Sequence, residues 1–256
     1  MPFHQSDTIR YFRFDSIQAH HAIFTRNGGL SPEPWRSLNV GGTVGDDSKR
    51  VRANRNLSLQ AVGCDPSTVF DVWQVHAADV AYATAPRPDS ESVRQADIIL
   101  TDKPNVTLYM RFADCVPIMV HDPRRGVVGV AHAGWKGTVQ DVAGSMVNAM
   151  REQYGSNPSD LVAGIGPSIG PDHYEIGRDV IAQVMQKFGE EAEQVLPSQD
   201  GKIHFDLWKT NKLLLERAGI GIIEVAGICT ACNTQDWFSH RAEKGRTGRF
   251  GALISL

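Results

Sequence analysis

The stretch PIMVHDPRRGVVGVAH (117–132) places two apolar runs of strand length on either side of Asp122-Pro123 and a closing Gly126. Proline fixes its own φ and steers the residue before it away from helix, while glycine reaches the backbone region that a tight reversal requires. The segment therefore predicts a β-hairpin, and with it antiparallel pairing. Outward from it, HAIFT (21–25), VFDVWQV (69–75), ADIILT (96–101), VTLYMRF (106–112), DLVAGIG (160–166), IIEVAG (222–227) and FGALISL (250–256) read as further strands. Between them lie helical patterns. GTVGDDSKRVRANRNLSLQAVG offers Asp46 or Asp47 as a cap, a loose apolar face of Val51, Leu57 and Ala61, and Gly63 as a stop. TVQDVAGSMVNAMREQYG puts Val139, Val142, Met146, Val147, Met150 and Tyr154 on one side, with Gly155 as its stop. RDVIAQVMQKFG carries a stripe of Val180, Val184, Met185 and Phe188, and FDLWKTNKLLLERAG runs from a cap at Asp206 to Gly219. Helices interspersed among clustered strands, rather than strictly alternating with them, predict an α+β fold on mixed sheets instead of a doubly wound parallel sheet.

Composition sets the class. The 256 residues are 41% hydrophobic, enough for a sizeable core, and one compact domain over 1–256 is expected. With 26 basic against 29 acidic residues the net charge is −3, which gives no electrostatic footprint for nucleic acid or an anionic membrane surface. No secretory leader pattern opens MPFHQSDTIRYF and no 18-residue apolar run occurs, so a cytoplasmic, soluble protein is expected. Four cysteines in such a chain read as free thiols or ligands rather than a disulfide framework.

His76, Cys115 and His132 each follow an apolar run, in FDVWQVH, VTLYMRFADC and GVVGVAH. Two imidazoles and a thiol delivered from three strand ends suit a metal ion with an open coordination position, zinc or copper, or a Cys-His nucleophilic pair. Gly134, two residues past His132, lets the backbone pass close to a ligand. Asp114, beside Cys115, is expected to orient an imidazole. GIGPSIGP (164–171) lacks the dinucleotide glycine spacing, and two of its residues are prolines without an N–H for phosphate. It reads instead as a rigid turn carrying Tyr174 and Glu175 into a cleft, where the ring is placed to stack on a flat ligand and the carboxylate to accept hydrogen bonds from it. Cys229-Thr-Ala-Cys232 has no second ligand pair at matching spacing and reads as incidental. His121, His173 and His204 read as surface residues, and His240 as a minor substrate contact.

The segments TRNGGLS, SLNVGGTVGDD, WQVH, ADCVPI, AHAGWKGT, GIGPSIGPDHYEIG and FSHRAEKGRTGR resemble, in order, the signature segments of the YfiH family, also labelled the laccase-domain or polyphenol-oxidase family. The resemblance runs from about residue 22 to the C-terminal segment. It implies an α/β/β/α-type sandwich, related to the deaminating domain of cytotoxic necrotizing factor, with metal positions at His76, Cys115 and His132. It further implies phosphorolysis of the purine nucleosides adenosine, inosine and methylthioadenosine, with accompanying adenosine deaminase activity and with phosphate as co-substrate. It favours Arg26 and Arg241 as anchors for anionic groups, ahead of Arg246 and Arg249. Thr43 stands where many members have His. Two other readings fit the same three residues: a copper-dependent polyphenol oxidase, for which the chain lacks multiple His-x-His pairs, and a metal-free Cys-His hydrolase or amidase. In a non-catalytic binding protein the metal site would be structural, but structural zinc normally recruits four protein ligands.

Overall fold

The computed structural model describes residues 2–88 and 90–256. In chain order it contains β1 (Phe3–Ser6), β2 (Ile9–Phe12), β3 (His20–Phe24), α1 (Ser48–Ala61), β4 (Val69–Asp71), β5 (Val80–Tyr82), β6 (Ile98–Thr101), β7 (Thr107–Phe112), β8 (Val116–Asp122), β9 (Val127–Ala133), α2 (Trp135–Val139), α3 (Val142–Tyr154), β10 (Val162–Ile165), α4 (Arg178–Phe188), α5 (Ala192–Val195), β11 (Ser198–Gln199), β12 (Lys202–Ile203), α6 (Leu207–Arg217), β13 (Ile222–Val225) and β14 (Phe250–Ser255). Two six-stranded mixed sheets result, ordered β1-β2-β3-β14-β7-β4 and β13-β10-β8-β9-β6-β5. The pairs β4·β7, β5·β6 and β10·β13 are parallel and the remainder antiparallel.

The β8–β9 hairpin forms as its sequence predicts. The Gly126 N–H donates to Asp122 O at 3.0 Å, and Gly126 adopts φ 63°. Every residue of both strands is buried, because their two faces enter different cores. Val116, Ile118, Val120, Val127 and Ala131 pack with α3 and α6 on one side. Met119, Val128 and Val130 face Leu108, Met110, Phe112, Ala252 and Ile254 of the other sheet. A third cluster, with Leu59, Tyr109 and Leu253, covers the outer face of the first sheet beneath α1. The layering is therefore helix, sheet, sheet, helices.

Local signals and tertiary demands differ at several points. The run 138–155 is two helices, because Asp141 takes a left-handed conformation (φ 62°) and caps α3 by accepting the Gly144 N–H at 2.9 Å. Met185, expected on the buried stripe of α4, is 57% exposed; Val180, Val184 and Phe188 alone form it. On α1 the buried face is Val51, Asn54, Ser58 and Leu59 rather than Leu57 and Ala61, since Asn54 is needed to tie Ser31, Ser37 and Asn39 to the helix. His121 and His204, read as surface residues, are buried.

Candidate active site

The strand expected over 69–75 stops at Asp71, and the reason lies in the site. Beyond Asp71 the chain leaves the first sheet, and Trp73 pairs with Gln95 next to β6 of the second. Gln74 keeps hold of the sheet left behind, its side chain exchanging hydrogen bonds with the backbone of Arg111. This crossing carries His76 to the end of the inter-sheet layer. A second crossing, between β7 and β8, carries Cys115, while His132 projects from β9 beside Phe112 with ring centroids 5.5 Å apart. The donor atoms of His76, Cys115 and His132 lie within 4.8 Å of one another. Both crossings use left-handed backbone at non-glycine residues, His76 (φ 62°) and Asp114 (φ 80°), a conformation costing on the order of 1 kcal/mol each.

Asp97 binds the group together. Its Oδ1 lies 2.8 Å from His132 Nδ1, and its Oδ2 accepts the N–H groups of Val75 and Ala77, on either side of His76, at 3.0 and 2.8 Å. Burial raises its pKa, but the bonds from His132 and Ala77 outweigh this and hold the carboxyl below its ordinary value. Burial also disfavours the Cys115 thiolate; the facing His132, with His76, overcomes it and lowers the thiol to about 6. His132 is raised to about 9 against its own burial by the Cys115 thiolate and by Asp97. With Nδ1 engaged by Asp97, the other ring nitrogen is left for the thiol or an ion. A Cβ on Gly134 would stand 3.0 Å from both Cys115 Sγ and His76 Cδ2, so a larger residue here would press on two of the three side chains.

The three residues line a cleft of about 740 Å³. Trp73, 47% exposed, and Tyr174 supply aromatic surface to its wall, and Thr43, His240, Arg241 and Arg249 also line it. The remaining charge centres on buried Asp71, which contacts Arg87 at 2.6 Å, Arg111 at 3.4 Å and Arg55 at 3.6 Å, all four lining the same cleft. One carboxylate among three guanidiniums leaves an excess of positive charge. Burial and the like charge of Arg55 push Arg111 down to about 10.

Three expectations are corrected by this geometry. Asp114 does not orient an imidazole: its oxygens accept from Thr230 Oγ1 at 2.7 Å and the Arg241 N–H at 2.6 Å, and Asp97 does that work instead. Arg26 is absent from the cleft lining; its guanidinium is spent on Arg36 O, Thr234 O and Glu243 and lies over the Phe238 ring. Glu175 points its carboxylate at Lys202, at 2.8 Å, rather than into the cleft. Arg241 lines the cleft, its guanidinium 5.1 Å from the Tyr174 ring centroid. Sequence reading missed Asp97, Trp73 and the Asp71 cluster. The polar residue opening an apolar strand in QADIILT was the signal available for Asp97.

A two-sheet sandwich whose open end gathers a Cys/His group in a cationic cleft is the class of protein that fold and site define. The chain belongs to the family described as multi-copper polyphenol oxidoreductase laccase, whose profile spans residues 20–256. Among its relatives, a purine nucleoside phosphorylase of Deinococcus radiodurans is 37% identical over 244 residues, covering 95% of this chain and 92% of the relative. Among solved structures, a Bacillus licheniformis protein titled hypothetical protein YfiH superposes with a TM-score of 0.91 at 34% identity, covering 100% of this chain and 99% of that one. YlmD from Geobacillus stearothermophilus gives 0.91 at 33%, covering 99% and 98%.

Proposed function

We propose that this protein is a purine nucleoside phosphorylase, cleaving the N-glycosidic bond of adenosine, inosine and methylthioadenosine with phosphate, and that it also deaminates adenosine. The observation that carries the reading is one cleft lined by a Cys/His metal-type group, a surplus of guanidinium charge and exposed aromatic surface. Phosphorolysis makes each of those demands: a dianion to anchor, a sugar that gains positive charge as its bond breaks, and a flat base to hold. Relatives named purine nucleoside phosphorylase lend it support.

The donor set fits a metal ion. Two nitrogens and a sulfur converge, and one imidazole is fixed by a carboxylate on its far nitrogen. His76, Cys115 and His132 would hold the ion, Zn²⁺ by preference and copper as the alternative, and when bound it supplies a Lewis acid at the reacting centre. Asp97 keeps the proton on His132 Nδ1 and holds the backbone on either side of His76. Phosphate is drawn to the arginines around Asp71, where a second anion relieves the crowding of like charge, and Arg241 supplies a further guanidinium. Trp73 and Tyr174 hold the purine by stacking. In deamination water takes the place of phosphate as the attacking group.

A second reading rests on a specific observation. Asp97, His132 and Cys115 form the order of carboxylate, imidazole and nucleophile used by thiol hydrolases, with the thiol at about 6. One assay separates the two. The metal-loaded protein is incubated with adenosine, with and without phosphate, and adenine is resolved from inosine. Adenine formed only with phosphate and abolished by chelation is the expected result. Product that survives chelation but is lost on alkylating Cys115 supports the thiol mechanism, and absence of both products removes the nucleoside assignment.

A further inference from the structure

Cys229-Thr-Ala-Cys232, isolated in the sequence, has partners in space. The turn after β10 brings Asp172 and His173 to it, and ligand atoms of all four residues lie within 4.8 Å of one another. Cys232 Sγ lies 2.9 Å from Asp172 Oδ2 and 3.5 Å from His173 Nδ1, and Cys229 Sγ lies 3.9 Å from the same nitrogen. The Gly170 N–H points at Cys229 Sγ, at 3.2 Å. We propose that Asp172, His173, Cys229 and Cys232 form a second metal site, closed by four protein ligands and selective for Zn²⁺.

The argument is one of donor chemistry and placement. Two thiols, an imidazole and a carboxylate make a tetrahedral set, and a site with four protein ligands is structural, unlike the three-ligand group in the cleft. The two segments are already aligned by backbone bonds, Ser168 N–H to Ile228 O at 3.1 Å and Thr230 N–H to Ser168 O at 3.0 Å, so little rearrangement separates the side chains from ligation. Cys229 is buried and the other three are exposed, which leaves a path of entry.

Its position gives it a task. His173 precedes Tyr174, and Arg241 donates to His173 O at 3.3 Å and Glu175 O at 2.8 Å while lying over the Tyr174 ring. Thr230, between the two cysteines, bonds Asp114 next to Cys115. An ion here pins the turn that carries Tyr174 and the carbonyls that aim Arg241, and so fixes two side chains of the cleft from behind.

The test is metal stoichiometry, which is independent of nucleoside chemistry. Chelator-stripped protein is titrated with Co²⁺ and followed by thiolate-to-cobalt charge-transfer absorption, in the wild type, Cys115→Ser, and Cys115→Ser combined with Cys232→Ser. Two equivalents in the wild type are expected, then one with its charge-transfer band retained in Cys115→Ser, then loss of that band in the double variant. Asp172→Asn, an exposed change that leaves both thiols, is expected to weaken the second equivalent by roughly 10- to 100-fold. A single wild-type equivalent that disappears in Cys115→Ser, or no band in a folded Cys115→Ser protein, overturns the site, whereas a single equivalent whose band survives Cys115→Ser upholds it and removes the metal from the cleft instead. So does a Cys229–Cys232 disulfide detected by mass spectrometry in protein purified under reducing conditions.

Discussion

Asp97 divides its two oxygens between His132 and the backbone on either side of His76, so one side chain holds an imidazole and the backbone that carries the other. Asp97→Asn keeps the shape but cannot accept at both positions as an anion. Metal affinity of the cleft, measured by chelator competition, is expected to fall about 10- to 100-fold. Arg55 sits 3.6 Å from Asp71, which Arg87 and Arg111 also contact. Removing its charge in Arg55→Met should raise KM for phosphate about tenfold, the scale of one charge-assisted hydrogen bond, and leave KM for nucleoside nearly unchanged. Equal changes in both constants would instead mark Arg55 as structural. Arg26 makes the opposite case. Buried and paired with Glu243 at 2.9 Å, it joins the 26–37 loop to the 234–243 segment. Arg26→Met is expected to cost about 3 kcal/mol in urea unfolding, with KM for phosphate unaltered in the protein that still folds.

At the level of elements, β3 contains a pH-dependent joint. His21 is fully buried, with Nδ1 at 2.7 Å from Ala19 O and Nε2 accepting the Phe14 N–H at 2.8 Å, an arrangement only the neutral ring satisfies. Burial lowers its pKa from 6.5 to about 4. Between those values the unfolded chain binds the proton and the folded one does not. The contribution is therefore complete above pH 6.5 and is lost as pH falls toward 4, amounting to about 3 kcal/mol. His21→Gln retains a donor and an acceptor without titrating, so the difference in urea midpoint between pH 7 and pH 4.5 should be smaller in the variant; an equal difference would remove His21 as the cause. Elements were also where sequence reading was strongest. The hairpin at 117–132, the cap at Asp206 and the stop at Gly155 are set by neighbours in the chain and were legible. Where a distant partner decides, they were not: VFDVWQV is apolar enough for one strand, but its second half is drawn to Gln95. The site divides along the same line. His76, Cys115 and His132 stand out as reactive residues after apolar runs, whereas Asp97, Trp73 and the Asp71 cluster gain their meaning only from residues that the crossings between sheets bring near. Arg26 and Arg241 look alike in sequence, both beside glycine loops, and only burial among carbonyl groups separates them.

Across the whole molecule, the two sheets are assembled from contacts of different reach. Cys115 stands just before β8, and His132 pairs with Pro117 within the hairpin, so two of the three Cys/His side chains of the cleft meet through a short loop. The first sheet instead depends on β14, whose Ala252 pairs with Ile23 and Met110. Loop-closure entropy makes the first kind of contact quick to form and the second slow. The expected order of folding is that the second sheet condenses around β8 and β9 and that β14 locks into place late. Val120→Ala should then slow refolding, and Leu253→Ala should chiefly accelerate unfolding, in stopped-flow chevrons. A chain that has made its hairpin but not its first sheet already presents a thiol and an imidazole side by side, so a metal ion present during refolding would act as a template for the site, and its addition after refolding would be slower to take effect.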